Sequence, residues 1–170
     1  SQALELFTKL VKEHPSYRRL DEVWFRIGSA NMESATKTSG KSQKLTSEKA
    51  GLSAYRTVIT NYPKSMYVCD ANVEVGNYFF EKNQLSPARV AFEHGLPCDR
   101  TKLYANYKLA WCDYNVGDYK SAVMRFKDVI SAADKERAPA KLRLKAESLR
   151  DLVQAFVQAQ RATLAPDIVR

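Results

Sequence analysis

Apolar residues recur at helical spacing along most of this chain. The pattern is clearest in four segments: 66–82, 87–96, 101–116 and 119–133. Ser86 and Pro87 form a typical helix start, since serine caps a helix and proline tolerates its first position. Gly117 is a typical residue for the end of one helix, and Asp118 is a typical N-cap for the next. These signals predict pairs of helices joined by short turns, and therefore an all-α fold.

The helix pairs carry an internal repeat. Three positions recur at a separation of 34 residues: Gly76 and Ala110, Ala88 and Ala122, and Phe92 and Phe126. Small residues on two facing helices allow their axes to approach towards the short end of the ~8–10 Å range. We expect the aromatic residue, one turn later, to fill the gap to the next pair. The period predicts helix–turn–helix units stacked on copies of themselves.

A more distant copy lies upstream, with Gly28, Gly51, Tyr55 and Pro63 at matching positions. Gly28 and Gly51 are 23 residues apart, whereas the matching residues downstream are 12 apart. The difference predicts an insertion, which we assign to the polar stretch 36–47 as a solvated, mobile loop. Its three lysines leave open a contact to an acidic partner or to lipid head groups.

The 34-residue period, the small-residue pair and the Tyr62-Pro63 ending resemble tetratricopeptide repeats over roughly residues 1–134. The resemblance implies a right-handed α-solenoid of stacked helix–turn–helix repeats that acts as a protein-interaction scaffold. Segments 61–93 and 104–130 look more narrowly like repeats of bacterial cell-envelope proteins. These include AglT-like gliding-motility proteins, the Tol–Pal coordinator family and outer-membrane assembly lipoproteins. This resemblance implies a periplasmic or outer-membrane-associated location; otherwise the protein is expected in the cytoplasm.

The sequence also departs from that family's pattern. Polar residues stand where it usually has large apolar or aromatic ones: Asn31, Asn72, Asn106 and Asp113. Buried polar groups need hydrogen-bond partners. We therefore expect these four side chains to be bonded between helices or reached by water.

We predict a single tetratricopeptide-like domain over residues 1–159. Its parts are a partial repeat (1–15), a repeat with the insertion (17–63), two repeats (66–98 and 101–134) and a terminal helix (139–159), with a linker or tail at 160–170. The terminal helix places Leu142, Leu149, Val153 and Phe156 on one amphipathic face. It is either a capping helix or the first helix of a further pair.

Composition and charge narrow the function classes. A hydrophobic fraction of 45% with 27% charged residues is ordinary for a folded domain. The net charge of +8 is concentrated at the two ends of the chain, and the middle is near neutral. A nucleic-acid binder would more typically carry a continuous basic stripe, so no nucleic-acid partner is expected. No 18-residue apolar run is present and no signal peptide is visible at the N-terminus.

The residues of common catalytic sites are missing. The two histidines, His14 and His94, have no second ligand at metal spacing, and no phosphate loop or nucleophile motif is present. Cys69, Cys98 and Cys112 are expected to be free thiols, with Cys112 in the core. We therefore expect no enzyme activity, no metal and no cofactor.

The concave face of such a solenoid is lined by first helices. The groove positions implied by the resemblance are Asp70, Val73, Asn77 and Phe80 in one repeat and Tyr104, Tyr107, Trp111 and Tyr114 in the next. The second set is an aromatic stripe suited to binding a protein or peptide segment, although two or three of its members would alternatively pack under the terminal helix. Some family members clamp a C-terminal carboxylate with lysine and asparagine. Only Asn77 and a stray Lys108 match that clamp, which disfavours it.

Two other functions stay open. A nucleic-acid-binding helical repeat is suggested by the pI of about 9.4 and by aromatic residues that stack on bases. A peptidoglycan or small-ligand module is suggested because aromatic faces also suit sugars.

Overall fold

The computed structural model describes residues 2–134 and 139–164, and the side chains of all of these except 139–142 and 164. Within that part of the chain the protein is all-helical, which confirms the predicted all-α class. The eight helices are α1 (Gln2–Glu13), α2 (Leu20–Lys37), α3 (Lys41–Asn61), α4 (Val68–Glu81), α5 (Leu85–Glu93), α6 (Asp99–Asn115), α7 (Tyr119–Asp134) and α8 (Pro139–Leu164). They form two compact units, Ser1–Val75 and Gly76–Arg170, with the division inside α4. Among the described helices, none combines the length and apolar character needed to cross a bilayer.

In the first unit, the pairing of α2 with α3 depends on two glycines. The ring of Tyr55, only 1% exposed, lies directly against Gly28, where an added Cβ would stand 2.4 Å from the Cε1 atom of Tyr55. At Gly51 an added Cβ would lie 3.2 Å from the carbonyl oxygen of Gly28, so the two backbones approach closely. The Tyr55 hydroxyl donates a hydrogen bond to Ser29 at 3.2 Å. Helix α1 covers this pair through Leu4, Phe7, Leu10 and Val11.

The second unit repeats the same contact. An added Cβ at Gly76 would lie 2.6 Å from Cε1 of Phe92, which is fully buried. Ala110 and Phe126 share one core cluster with Ala122. The aromatic residue therefore seats on the small residue of its own helix pair. Phe126 also shares its cluster with Ala155 of α8, the helix that follows its pair.

Helix α8 packs on α7 and α6. It runs to Leu164, five residues beyond the predicted end at 159; residues 165–170 of the predicted tail lie outside the described residues. Ser148 and Ala155 are the fully buried positions of α8, whereas Val153 and Phe156 are 64% and 49% exposed. Three members of the amphipathic face predicted from the sequence, Leu149, Val153 and Phe156, are thus on the solvent side of the helix, and the side chain of the fourth, Leu142, lies outside the described residues.

The predicted loop at 36–47 is largely helical. Only Thr38–Gly40 separate α2 from α3, and residues 41–47 form the first turns of α3. Residues 41–46 are nevertheless all exposed. The stretch extends a helix into solvent because helix propagation from an established helix is far easier than nucleation.

Asp113 is the buried polar centre of the second unit. Only 2% of it is exposed, and its carboxylate is ion-paired with Arg89 of α5 and with Arg125 of α7, the latter at 2.7 Å. Arg125 also donates a hydrogen bond to Asn106 at 3.0 Å. The expected bonding between helices is therefore confirmed for Asp113 and Asn106.

The other two polar positions bond locally. The side-chain amides of Asn31 and Asn72 donate to the carbonyl oxygens of Ile27 and Val68, one turn earlier in the same helix, each at 2.9 Å. The expectation of bonds between helices is wrong for these two. A backbone carbonyl one turn back is the nearest acceptor for a short side chain inside a helix.

The prediction of free cysteines holds for one residue. Cys112 is free and buried. Cys69 and Cys98 are disulfide-bonded, so the prediction is wrong for both. Cysteine count and spacing alone do not indicate which thiols are oxidised, because disulfide formation requires specific geometry.

We expect Gly76→Ala to destabilise the protein. The new methyl group would overlap the buried ring of Phe92, and overpacking of this kind costs about 1–3 kcal/mol. That loss exceeds the ~1 kcal/mol that alanine gains over glycine in a helix. Urea denaturation should show a lower midpoint for the variant. In combination with Phe92→Leu the substitution should be better tolerated than the sum of the single effects, and strict additivity would contradict the proposed contact.

We expect the two arginines that contact Asp113 to substitute for one another. Arg89→Met or Arg125→Met alone should cost about 1 kcal/mol, because the remaining arginine still neutralises the carboxylate. The double variant should lose about 3 kcal/mol or more, since it leaves a buried charge without a partner. Adding Asp113→Asn should recover part of that loss. Equal, additive losses in chemical denaturation would show that the arginines act independently.

Candidate binding pocket beside helix α6

The predicted groove residues fall into both compact units. Asp70 and Val73 belong to the first unit, where Asp70 is half-buried and Val73 is only 6% exposed. Little of the Val73 side chain is therefore accessible to a partner. The other six residues, Asn77, Phe80, Tyr104, Tyr107, Trp111 and Tyr114, lie in the second unit.

Part of the aromatic stripe on α6 packs beneath α8. Tyr107, Trp111 and Tyr114 lie against the core cluster that includes Phe126 and Ala155. The Tyr107 hydroxyl donates to Asp151 of α8 at 2.8 Å, and Gln154 of α8 donates to the Tyr114 hydroxyl at 3.0 Å. These contacts match the alternative in which two or three of the aromatic residues support the terminal helix.

The opposite side of the same stripe opens onto a pocket of about 340 Å³. Its lining combines aromatic rings with one cation and one amide: Phe80, Tyr107, Lys108, Trp111 and Asn115. Tyr107 and Trp111 thus each contact the core cluster on one side and line the pocket on the other. Rings fixed in this way form rigid walls, which lowers the entropy lost on binding.

Lys108 is the cation of this pocket. Its ammonium group lies 4.2 Å from the centroid of the Phe80 ring and 5.9 Å from the centroids of Phe92 and Tyr104. Burial among these rings lowers the pKa of Lys108, and the charge of Glu81 partly opposes the shift. Among the described residues no carboxylate forms an ion pair with it. Aromatic faces compensate only part of the lost hydration of an ammonium ion, so Lys108 can still bind an anion.

The rim of the pocket is held by a second pair of sequence-predicted residues. Tyr104, which is 37% exposed, donates a hydrogen bond from its hydroxyl to Oδ1 of Asn77 at 3.0 Å. The Tyr104 and Tyr107 rings lie 6.4 Å apart. Asn77, Phe80, Tyr104, Tyr107 and Trp111 are therefore brought together in one region of the second unit.

The sequence argument underestimated Lys108 and missed Asn115. From sequence, Lys108 is only a stray match to the carboxylate clamp of the family that the chain resembles. Its helical spacing carries a signal all the same, because it lies one turn after Tyr104, one turn before Cys112 and two turns before Asn115. Helical arithmetic alone therefore places it beside the aromatic stripe.

A second pocket, of about 480 Å³, lies in the first unit among α1, α2 and α3. It is lined mainly by apolar side chains such as Leu4, Val11 and Trp24, with Lys12 and Asn31 among its polar members. It lacks a cation enclosed by aromatic rings. We therefore regard the pocket beside α6 as the better candidate for specific recognition.

Neither pocket displays an activated nucleophile. Burial raises the pKa of the Cys112 thiol to about 11, so this cysteine is protonated at neutral pH. Burial, aided by the neighbouring Asp151 carboxylate, raises the pKa of Tyr107 to about 12. Within the described residues no group of three or more histidine, cysteine, aspartate or glutamate side chains is placed to hold a metal ion. The arrangement is suited to binding an anionic or polar group between aromatic walls.

Trp111→Ala should destabilise the protein by about 2–3 kcal/mol, because it removes a ring that packs against Phe126 and Tyr114. The exposed Tyr104 on the same helix is a matched control, and Tyr104→Ala should cost less than about 1 kcal/mol. Urea denaturation monitored by circular dichroism measures both. Equal, small losses would show that Trp111 does not support the core.

Comparisons with known proteins leave the family open. No protein-family model matches the chain, and no curated protein shows significant similarity to it. What the molecule does must therefore be inferred from its own side chains, above all from the cation and the aromatic walls of the pocket beside α6.

Proposed function

We propose that this protein is a non-catalytic interaction module that binds a segment of a partner protein or peptide in the pocket beside α6. The single observation that supports this most strongly is Lys108. It is a partly desolvated cation, enclosed by aromatic rings and without an ion-pair partner among the described residues. A ligand carboxylate would neutralise that charge, while Tyr107 and Trp111 would contact the apolar part of the same segment.

The proposal extends to the architecture. Two helix pairs place an aromatic ring on a glycine, and a third has Phe126 and Ala110 in one core cluster. This recurrence supports a tetratricopeptide-type array, in which such pairs stack as a right-handed solenoid. On this proposal the protein serves as a scaffold in a bacterial cell-envelope or motility-related assembly. The basis for that assignment is the sequence resemblance described above.

A periplasmic or outer-membrane-associated location is part of the same proposal. The disulfide-bonded state of Cys69 and Cys98 supports it, because disulfides persist in oxidising compartments and are rare in the cytosol. A non-catalytic role is supported by the buried, protonated thiol of Cys112.

A second candidate function is recognition of peptidoglycan fragments. Trp111 and Tyr107 offer ring faces on which a sugar can stack, and Asn115 offers both a donor and an acceptor to hydroxyl groups. Muramyl peptides also carry a free carboxylate, on the peptide attached to the sugar, that Lys108 would bind. The same pocket would serve both ligand classes, so a test must include each of them.

The binding test uses a displayed library of 12-residue peptides selected against the 170-residue protein. Selected peptides should bind the Lys108→Gln variant at least about tenfold more weakly, because a charge-assisted hydrogen bond is lost. Lys102→Gln is the matched control, since Lys102 is an exposed lysine on the same helix. Peptides that bind all three proteins equally would refute the pocket as the binding site.

Muramyl dipeptide is the probe for the second candidate. Trp24→Phe leaves Trp111 as the only tryptophan, so its fluorescence reports directly on the pocket. A saturable change that disappears with Lys108→Gln would favour the sugar-binding function. A flat titration, together with Lys108-dependent peptide binding, would favour the peptide-binding function.

A further inference from the structure

Helix α8 has a second apolar face that the described part of the second unit does not cover. Its packed side contributes Leu152 and Ala155 to the core cluster and bonds α6 through Asp151 and Gln154. Four large apolar side chains point away from that side: Leu149 (45% exposed), Val153 (64%), Phe156 (49%) and Val157 (43%). Their spacing of i, i+4, i+7 and i+8 places them on one continuous stripe. We call this stripe the outer face of α8.

Exposure of this kind differs from the scattered apolar residues on any protein surface. Single exposed leucines or valines are common, but a contiguous group on one helix face usually marks a contact with another molecule. The outer face includes the aromatic Phe156, a residue type enriched in protein interfaces. We therefore expect the outer face of α8 to contact another molecule.

A row of arginines borders one edge of the outer face. Arg143, Arg150 and Arg161 are exposed and are spaced by 7 and 11 residues, which places them on the same side of the helix. No ion pair involves any of the three among the described residues. On the opposite edge, Lys145 is ion-paired with Asp134 of α7. Uncompensated positive charge is thus confined to one edge of the apolar stripe.

We infer that the outer face of α8 docks an amphipathic helix of a partner protein that carries acidic residues along one edge. The apolar side of such a helix would cover Val153 and Phe156, at the centre of the stripe. Its carboxylates would meet Arg150 and Arg161, since guanidinium groups bind carboxylates in a bidentate manner. The inference goes beyond the pocket beside α6, because it uses none of the pocket residues.

The one-sided charge favours a protein helix over a membrane surface. A helix that lies flat on an anionic bilayer is best served by cations on both edges of its apolar face, where each can reach a head group. Here the cation on the second edge, Lys145, is already neutralised within the protein. A partner helix with a single acidic edge matches the observed arrangement of charge.

The test uses two synthetic 18-residue amphipathic peptides with identical leucine positions. One carries glutamates along one edge of its apolar face, and the other carries lysines at the same positions. Fluorescence anisotropy with the 170-residue protein should show that the glutamate peptide binds at least about tenfold more tightly than the lysine peptide. The double variant Arg150→Glu/Arg161→Glu should reverse the preference. Equal binding of both peptides, or no reversal, would overturn the inference.

Controls separate this face from other occupants and from misfolding. Val153→Ser/Phe156→Ser should abolish binding of the glutamate peptide while leaving the circular dichroism spectrum and Tm close to wild type, because both side chains are exposed. Lys108→Gln should leave peptide binding at α8 unchanged, so failure of one site is distinguishable from failure of the other.

Two further outcomes would identify a different binding partner for the outer face of α8. Self-association in sedimentation that Val153→Ser/Phe156→Ser removes would identify a second copy of this chain. Co-sedimentation with phosphatidylglycerol vesicles, without binding of the glutamate peptide, would identify a membrane surface. Either result would overturn the assignment to a partner helix.

Discussion

The helix pairs of this protein depend on an aromatic ring that rests on a residue with little or no side chain. Tyr55 lies on Gly28, Phe92 lies on Gly76, and Phe126 shares a cluster with Ala110. These three rings are the largest of the fully buried side chains. Because the glycine backbone forms the floor for the ring, a slip of one residue would put a Cβ into the aromatic ring. The contact therefore fixes the register of each pair as well as its spacing.

The register of the α6–α7 pair in turn determines which side chains of α6 line the pocket. With Ala110 directed at the core, Tyr107, Lys108, Trp111 and Asn115 fall within roughly 100° of one another around the helix. The pocket beside α6 is thus a consequence of the ring contact on the other side of the helix. Its cation is held by rings and receives only partial compensation for its lost hydration. On the proposed function, that imbalance is what would favour an anionic group in the pocket.

Much of this arrangement is predictable from sequence, for reasons visible in particular residues. The 34-residue spacing identifies the helices and the recurring small and aromatic positions, but it does not indicate that the ring of Phe92 lies on Gly76. The packed side of α8 was not predictable, since Leu152 and Ala155 oppose Leu149, Val153 and Phe156 on the same helix. Pattern analysis favours large apolar residues, whereas the fully buried residues described on the packed side are the small Ser148 and Ala155. The helical start of α3 was missed because it buries nothing.

The two candidate surfaces of the second unit differ in how far their cations are exposed to solvent. This difference determines how each surface would select a ligand. Lys108 is a single, partly desolvated cation between fixed rings, so its interaction with an anion is screened little by salt and requires close geometric fit. The arginines of the outer face of α8 are exposed to solvent, and their attraction fades beyond about 8 Å at physiological ionic strength. Specificity at α8 must therefore come from the apolar stripe, with the arginines setting orientation and association rate.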